Sequence, residues 1–93
     1  MDIEFINKNK NEIEFIVKDE DSSFFDMIIN IASTKKDVEF VSKKNADNLV
    51  NEFTIYLRTR DKPAKDVLLD CINEAEEEFN GLIKNLEKAV TKK

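Results

Sequence analysis

Apolar and polar residues alternate in four short segments of the chain. The first two run from Ile3 to Phe5 and from Ile13 to Val17, on either side of the polar stretch NKNKN. The third runs from Val38 to Val41, and the fourth from Phe53 to Leu57. Alternation at every second residue is typical of a strand with one buried face. The pattern predicts four strands whose core face carries Ile3, Phe5, Ile13, Phe15, Val17, Val38, Phe40, Phe53, Ile55 and Leu57.

Two other segments carry apolar residues at helical spacing. Seven of the nine residues from Phe24 to Ala32 are apolar, and Pro63 opens a second periodic segment that continues to about Val90. Proline suits the first turn of a helix because its missing N–H has no intrahelical partner there. The resulting order ββαββα predicts an α+β fold, with two helices on one face of a four-stranded antiparallel sheet. We expect residues 1–93 to form one domain.

Both predicted helices have more apolar surface than their own sheet can cover. The apolar arc of the first spans roughly 200°, whereas a helix lying on a sheet needs a stripe of about 100°. The second, at about 1.5 Å per residue, would be about 42 Å long, while a seven-residue strand spans only about 23 Å. Its last turns should therefore extend beyond the sheet. Its apolar residues follow a strict four-three spacing at Leu68, Ile72, Ala75, Phe79, Leu82, Leu86 and Ala89.

Uncovered apolar surface indicates a second protein chain. The alternative is that both helices cover only the core and that the last turns fray at Asn80 and Gly81, a pair typical of turns. The apolar spacing continues in phase across Gly81, which favours a continuous helix even though glycine costs about 1 kcal/mol there relative to alanine. The predicted partner-binding residues are Phe24, Phe25, Ile28, Ile29, Leu68, Ile72, Phe79, Leu82 and Leu86.

Composition argues against most chemical functions. Twenty acidic residues against fifteen basic ones give a formal charge of -5, which opposes autonomous binding to nucleic acid. With no histidine, one cysteine and one glycine, the chain offers no His-dependent triad, thiolate cage or phosphate loop. We expect Cys71 to be a core thiol and the carboxylates of 19–21 and 74–78 to be solvated. The sequence thus predicts no enzyme by itself, no metal, no cofactor and no small-molecule substrate.

The basic residues Arg58, Arg60, Lys62 and Lys65 cluster where the fourth strand gives way to the last helix. We interpret these residues as solvated charges at the sheet edge, in preference to a site that contacts an acidic surface of a partner. The first twenty residues contain no apolar segment of signal-peptide length, and no run approaches the roughly 20 residues that span a bilayer. We therefore expect a cytoplasmic protein without a membrane contact.

Three blocks of the chain resemble the archaeal RNA polymerase subunit L family, which is related to the eukaryotic eleventh-subunit type and to the N-terminal domain of the bacterial alpha subunit. The blocks are DSSFFDMI in the first helix, VEFVSKKNADNL in the third strand and its loop, and YLRTRDKPAKDVL around Pro63. Ser22 stands where the family has a histidine, and Asp47 and Asn48 stand where it has His-Pro. The resemblance covers nearly the whole chain.

The resemblance implies a non-catalytic assembly subunit of a DNA-dependent RNA polymerase. It implies heterodimerisation with the D-type subunit, which is the archaeal counterpart of the other alpha-like subunit, and a platform on which the two large catalytic subunits assemble. It also implies that the chain reaches DNA only indirectly, through the complex, and that the active-site metal belongs to the largest subunit. A second hypothesis is an unrelated acidic dimerisation or scaffold module, homodimeric in its simplest form, that uses the same helical surface.

Overall fold

The structure, a computed structural model, describes residues 2–19, 22–45 and 51–91. Its elements in chain order are strands β1 (Asp2–Asn9) and β2 (Glu12–Lys18), helix α1 (Ser23–Ser33), strands β3 (Val38–Asn45) and β4 (Glu52–Thr59), and helix α2 (Ala64–Thr91). The strands pair antiparallel in the order β1-β2-β4-β3. The predicted α+β fold and the ββαββα order are confirmed.

The core lies between the helices and one face of the sheet. Alternate residues of β2 and β4 point into it, as their period-two pattern requires. The residues that α2 buries are small or medium-sized, so this helix can lie close to the sheet. Cys71 is fully buried, which confirms the predicted core thiol. The buried apolar set is Ile13, Phe15, Val17, Phe25, Ile28, Ala32, Phe53, Ile55, Leu57, Ala64, Val67, Cys71 and Ala75.

Strand β3 departs from the predicted alternation. Phe40 was predicted on the core face, but the register shifts between Val38 and Phe40, and Phe40 lies opposite the outward-facing Arg58. A β-bulge has this effect because two residues of one strand oppose a single residue of the other. Val41, opposite Leu57, packs against the core instead. The prediction for Phe40 was wrong, and its side chain is 52% exposed.

The two helices cover three strands rather than four. Helix α1 lies against β3, and α2 lies mainly against β4 and β2. Strand β1 is the sheet edge beyond α2. Ile3 and Phe5 point to the helix side, opposite Val17 and Phe15, yet about half of each side chain is exposed. The core face of the sheet therefore continues past the helix that should cover it.

Helix α2 is continuous from Ala64 to Thr91, so the alternative of a break at Asn80 and Gly81 is wrong. Its 28 residues correspond to about 42 Å, and the described chain measures 51 Å along its longest axis. Of the α2 side chains whose burial is described, none after Ala75 is fully buried. The predicted extension beyond the sheet is confirmed.

Hydrogen bonds fix the starting direction of α2. The backbone N–H of Ala64 donates to the carbonyl of Lys10 in the β1–β2 turn (2.7 Å). The side-chain amide of Asn11 donates to the hydroxyl of Thr59 (3.2 Å), which donates to the carbonyl of Lys62 (2.6 Å). Thr59 is buried, so these bonds also satisfy its polar group. The helix consequently starts beside β2 and leaves β1 open.

Candidate interaction surface

Large apolar side chains remain exposed along one side of the molecule. They come from β1, from the flank of α2 beside its core side, and from the part of α2 beyond the sheet: Ile3, Phe5, Leu69, Phe79, Leu82, Ile83, Leu86 and Val90. Their exposed fractions run from 39% to 80%. Single exposed apolar residues are ordinary, but Ile3, Phe5 and Leu69 line one groove and Ile83, Leu86 and Val90 line another, and grouped exposure of this kind marks a site of interaction. We refer to these eight residues as the apolar surface.

Helical geometry explains how α2 has both a core side and an exposed apolar side. Val67 and Cys71, four residues apart, lie on the core side. Leu68 and Ile72 each follow one position later, which turns their side chains about 100° round the helix axis. These two side chains are half-buried, and Phe79 continues their row into the part of α2 beyond the sheet. The helix therefore has a second apolar stripe, which is available to contact another chain.

The open part of the sheet and the exposed flank of α2 form a groove of about 390 Å³. Ile3 and Phe5 line its β1 side, and Leu68, Leu69 and Ile72 line its α2 side. The ring of Phe5 packs against Phe15 of β2, with centroids 5.6 Å apart. The lining is almost entirely apolar, so the groove has the chemistry of a protein interior and is suited to apolar side chains of another chain.

Helix α1 offers less apolar surface than its sequence predicted. Phe25 and Ile28 are only 7% and 2% exposed, inside the chain's own core. Phe24 and Ile29 are half-buried against it, and the ring of Phe24 meets that of Phe79 edge to face at 6.4 Å. The prediction that half of the arc lacks an intrachain partner was wrong, because α1 lies between β3 and α2 and both of its flanks are covered.

The structure places the predicted partner-binding residues in different environments, and Phe24, Phe25 and Ile28 of α1 also line the groove. Phe25 and Ile28 have almost no side-chain surface left for another chain. Ile29 lies three residues after Asp26, on the side of α1 where Asp26 pairs with Lys43 of β3, away from α2. The structure brings the other six predicted residues to one side of the molecule, where their binding role stays a prediction: Phe24, Leu68, Ile72, Phe79, Leu82 and Leu86.

Sequence reasoning missed Ile3, Phe5 and Leu69 as surface residues. Ile3 and Phe5 carry the alternation of a core-facing strand, and they do face the helix layer. Their exposure follows from the strand order, which puts β1 outside α2. The local sequence carries no signal of this exposure, because alternation identifies the buried face of a strand and not the position of the strand in the sheet.

The basic residues clustered between β4 and α2 form ordinary surface pairs. Lys62 pairs with Asp70 at 2.8 Å, and this contact lowers the pKa of the Asp70 carboxyl and raises the pKa of the Lys62 ammonium. Arg58 pairs with Glu12 and Glu39. Two of the four clustered basic residues are therefore already engaged within the chain, and exposed pairs of this kind contribute little to stability.

Nucleophile and metal chemistry have little support in residues 2–19, 22–45 and 51–91. Burial raises the pKa of the Cys71 thiol, which disfavours the reactive thiolate. Those ranges contain no cluster of three or more side chains suited to holding a metal ion. Within them, too, no helix is both long and apolar enough to cross a membrane. Asp47 and Asn48, where the sequence departs from the subunit L pattern, lie outside the described residues.

The geometry defines a class of protein, a small α+β domain that keeps one side of its helix layer open for another chain. Residues 12–85 match the sequence model of the RNA polymerase Rpb3/Rpb11 dimerisation domain. The match covers most of the chain, and the chain belongs to this family. It is therefore a non-catalytic RNA polymerase subunit, and the resemblance noted in the sequence is confirmed at this level.

A solved structure shares the fold. The chain is similar to the crystal structure of DNA-directed RNA polymerase subunit L from Thermoplasma acidophilum, with a TM-score of 0.76 and 14% sequence identity. The similarity covers 95% of this chain and 87% of that one. Comparison with curated proteins gives no significant match. At 14% identity the likeness establishes the fold alone.

Proposed function

We propose that this chain is the subunit L-type member of an archaeal RNA polymerase heterodimer. It pairs with the alpha-like D-type subunit, and the pair is the platform on which the two large catalytic subunits assemble in the cytoplasm. The observation that carries the proposal is the apolar surface, on a chain that belongs to a dimerisation family. The chain's net negative charge supports contact with DNA only through the complex.

The size of the apolar surface supports a stable dimer. A large apolar side chain offers on the order of 100 to 150 Å², so eight side chains exposed by about half present on the order of 400 to 600 Å². A standard protein interface buries about 800 Å² on each partner. The surface is therefore large enough to be the apolar centre of a specific interface, whose polar rim would supply the remaining area.

The shape of the surface indicates what the partner contributes. The groove between α2 and β1 accepts bulky apolar side chains, and the extended half of α2 presents a row at helical spacing from Phe79 to Val90. Such a row packs best along an apolar stripe of another helix. An alpha-like protein of the same fold has helices of this kind, which supports the D-type subunit as the partner.

Native purification tests the proposal. The full chain carries an affinity tag, is expressed in its source cells and is purified without denaturant, and mass spectrometry identifies what accompanies it. Recovery of the D-type subunit together with the large polymerase subunits is the expected result. A symmetric homodimer free of polymerase subunits would overturn the proposal and favour the unrelated acidic dimerisation module.

A further inference from the structure

The sheet face opposite the helices carries an aromatic cluster on β3 and β4. The Phe40 ring lies 5.9 Å from the Tyr56 ring, centroid to centroid. The guanidinium carbon of Arg58 lies 5.6 Å from the centroid of Tyr56. The bulge in β3 brings Phe40 to this face, where half of its side chain is exposed to water. Aromatic residues and arginine are the side chains most enriched among strong binding contacts.

Hydrogen bonds hold this cluster in one conformation. Glu12 of β2 accepts hydrogen bonds from the Tyr56 hydroxyl and from the side-chain amide of Asn7. Arg58 lies 3.4 Å from the carboxylate of Glu12 and 3.6 Å from that of Glu39. The network crosses all four strands, so its side chains have little conformational freedom left to lose when another molecule binds.

The same face is predominantly negative. Strand register places on it alternate residues of each strand, and the ion pair with Arg58 adds Glu39. Among the strand residues placed there, the charged side chains are the six carboxylates of Asp2, Glu4, Glu12, Glu14, Glu39 and Glu52 and the three cations of Lys18, Lys44 and Arg58. The excess of three negative charges favours a positively charged ligand surface. We refer to these charged residues, with Phe40 and Tyr56, as the outer face.

We propose that the outer face is a second docking surface, which binds an arginine-bearing basic segment of a polymerase subunit other than the helix-side partner. A guanidinium group fits this site better than an ammonium group. It stacks on an aromatic ring such as Phe40 while it donates paired hydrogen bonds to a neighbouring carboxylate such as Glu39, and Glu14 on β2 adds to the negative potential of the face.

The position of the outer face supports a ligand distinct from the dimer partner. The sheet separates the outer face from the apolar surface, so a helix-side partner cannot bury both at once. A protein that has two opposite binding faces can join two other chains, which is what an assembly role requires. The inference rests on the proposed function, because it takes the second ligand from the same polymerase.

Co-expression with the other polymerase subunits tests the inference. The tagged chain is purified as a complex, and the amounts of the D-type subunit and of every other component are measured at rising salt. Phe40→Ser and Glu14→Lys should each lower the retention of at least one component by about tenfold or more, while the D-type subunit is retained as in the parent. Lys44→Glu is the matched control, since it changes the same face but adds negative charge, and it should retain that component at least as well as the parent does.

Salt and cross-linking add two independent readouts. High salt should release the component bound at the outer face before the D-type subunit, since screening weakens charged contacts more than apolar ones. A photoreactive benzoylphenylalanine introduced at Phe40 should cross-link to an arginine-containing peptide of that component.

Three results would overturn the inference. They are unchanged retention of every component in both Phe40→Ser and Glu14→Lys, an equal loss in Lys44→Glu and Glu14→Lys, or a cross-link from position 40 to the D-type subunit. Retention of the D-type subunit in the variants shows that they fold. A parent chain that retains no polymerase component at all would instead overturn the proposed function, and this inference with it.

Discussion

Leu82 distinguishes a partner-binding role of α2 from a purely intrachain one. It lies two turns beyond Ala75, the last buried residue of the helix, and it is 51% exposed in the chain alone. Replacement by aspartate removes a half-exposed apolar side chain and adds a charge. The substitution should therefore affect the free chain weakly and the complex strongly.

The free-energy cost of Leu82→Asp differs widely between the free chain and the complex. In the free chain, the loss of a half-buried leucine costs about 1 kcal/mol, and the lower helix propensity of aspartate costs up to about 0.7 kcal/mol. A chain of this length is stable by roughly 5 to 14 kcal/mol, so it stays folded. In a complex the carboxylate would be buried without a partner, at about 3 kcal/mol or more, which corresponds to over 100-fold in affinity.

The assay combines co-expression with circular dichroism. The D-type subunit carries the tag, and the amount of this chain that it retains is compared for Leu82→Asp, Asn85→Asp and the parent. Asn85 is an exposed polar residue of the same helix, outside the apolar surface, so Asn85→Asp adds the same charge without entering the predicted interface. We expect Leu82→Asp to lose the D-type subunit, Asn85→Asp to retain it, and all three chains to have the same helix content.

Two outcomes would refute this reasoning in different ways. Normal binding of the D-type subunit by Leu82→Asp would show that the extended half of α2 lies outside the interface. Unfolding as severe as that of Phe15→Asp, which places a charge in the core, would show that the last turns fold back on their own chain. In either case the proposed dimer would depend on the groove beside β1.

Three further predictions concern the chain itself. Phe15→Ala should lower the free energy of unfolding by about 3 to 5 kcal/mol in urea titrations, because Phe15 is fully enclosed between β1, β4 and the helices; a cost under about 1 kcal/mol would contradict its core position. Cys71 should react with Ellman's reagent only as fast as the chain opens, since it is buried and burial raises its pKa; rapid labelling of the folded chain would show the opposite. The Tyr56 hydroxyl lowers the pKa of Glu12, so the stabilisation it provides is present above the unfolded-state pKa and is lost as pH falls through the lower folded-state value. The urea midpoints of the parent and Glu12→Gln should accordingly differ at neutral pH and converge in acid. A difference between the midpoints that grows in acid would show that the ionised Glu12 carboxylate does not stabilise the fold.

The strands and helices were predictable because each leaves a strong period in the sequence. In the segment from Phe53 to Leu57 apolar residues alternate with the hydroxyl-bearing Thr54 and Tyr56, and the row from Leu68 to Leu86 keeps its phase over five turns. The prediction for Phe40 failed because apolar residues occupy both position 40 and position 41. The alternation is therefore compatible with either residue on the core face. A bulge decides between them, and a bulge is a property of strand pairing rather than of the local sequence.

Which residues belong to the interaction surface was predictable only where their exposure depends on the length of one element, helix α2. The exposure of Leu82 and Leu86 follows from a helix longer than any strand in the chain. The burial of Phe25 and the exposure of Phe5 depend instead on which strands the helices cover. That coverage depends on the order β1-β2-β4-β3, in which β4 lies between β2 and β3 and β1 is an edge strand.

The seating of α2 on the sheet accounts for both parts of the apolar surface. Small residues let α2 pack closely on β2 and β4, so β1 remains uncovered on one side of the helix. The same helix is long enough to extend beyond the sheet. A small domain has little hydrophobic stabilisation in reserve, and here a substantial part of its apolar area is still in water. That area stabilises the fold only when another chain covers it. For this protein, partner binding therefore adds directly to the free energy of unfolding, and its stability should depend on the concentration of its partner.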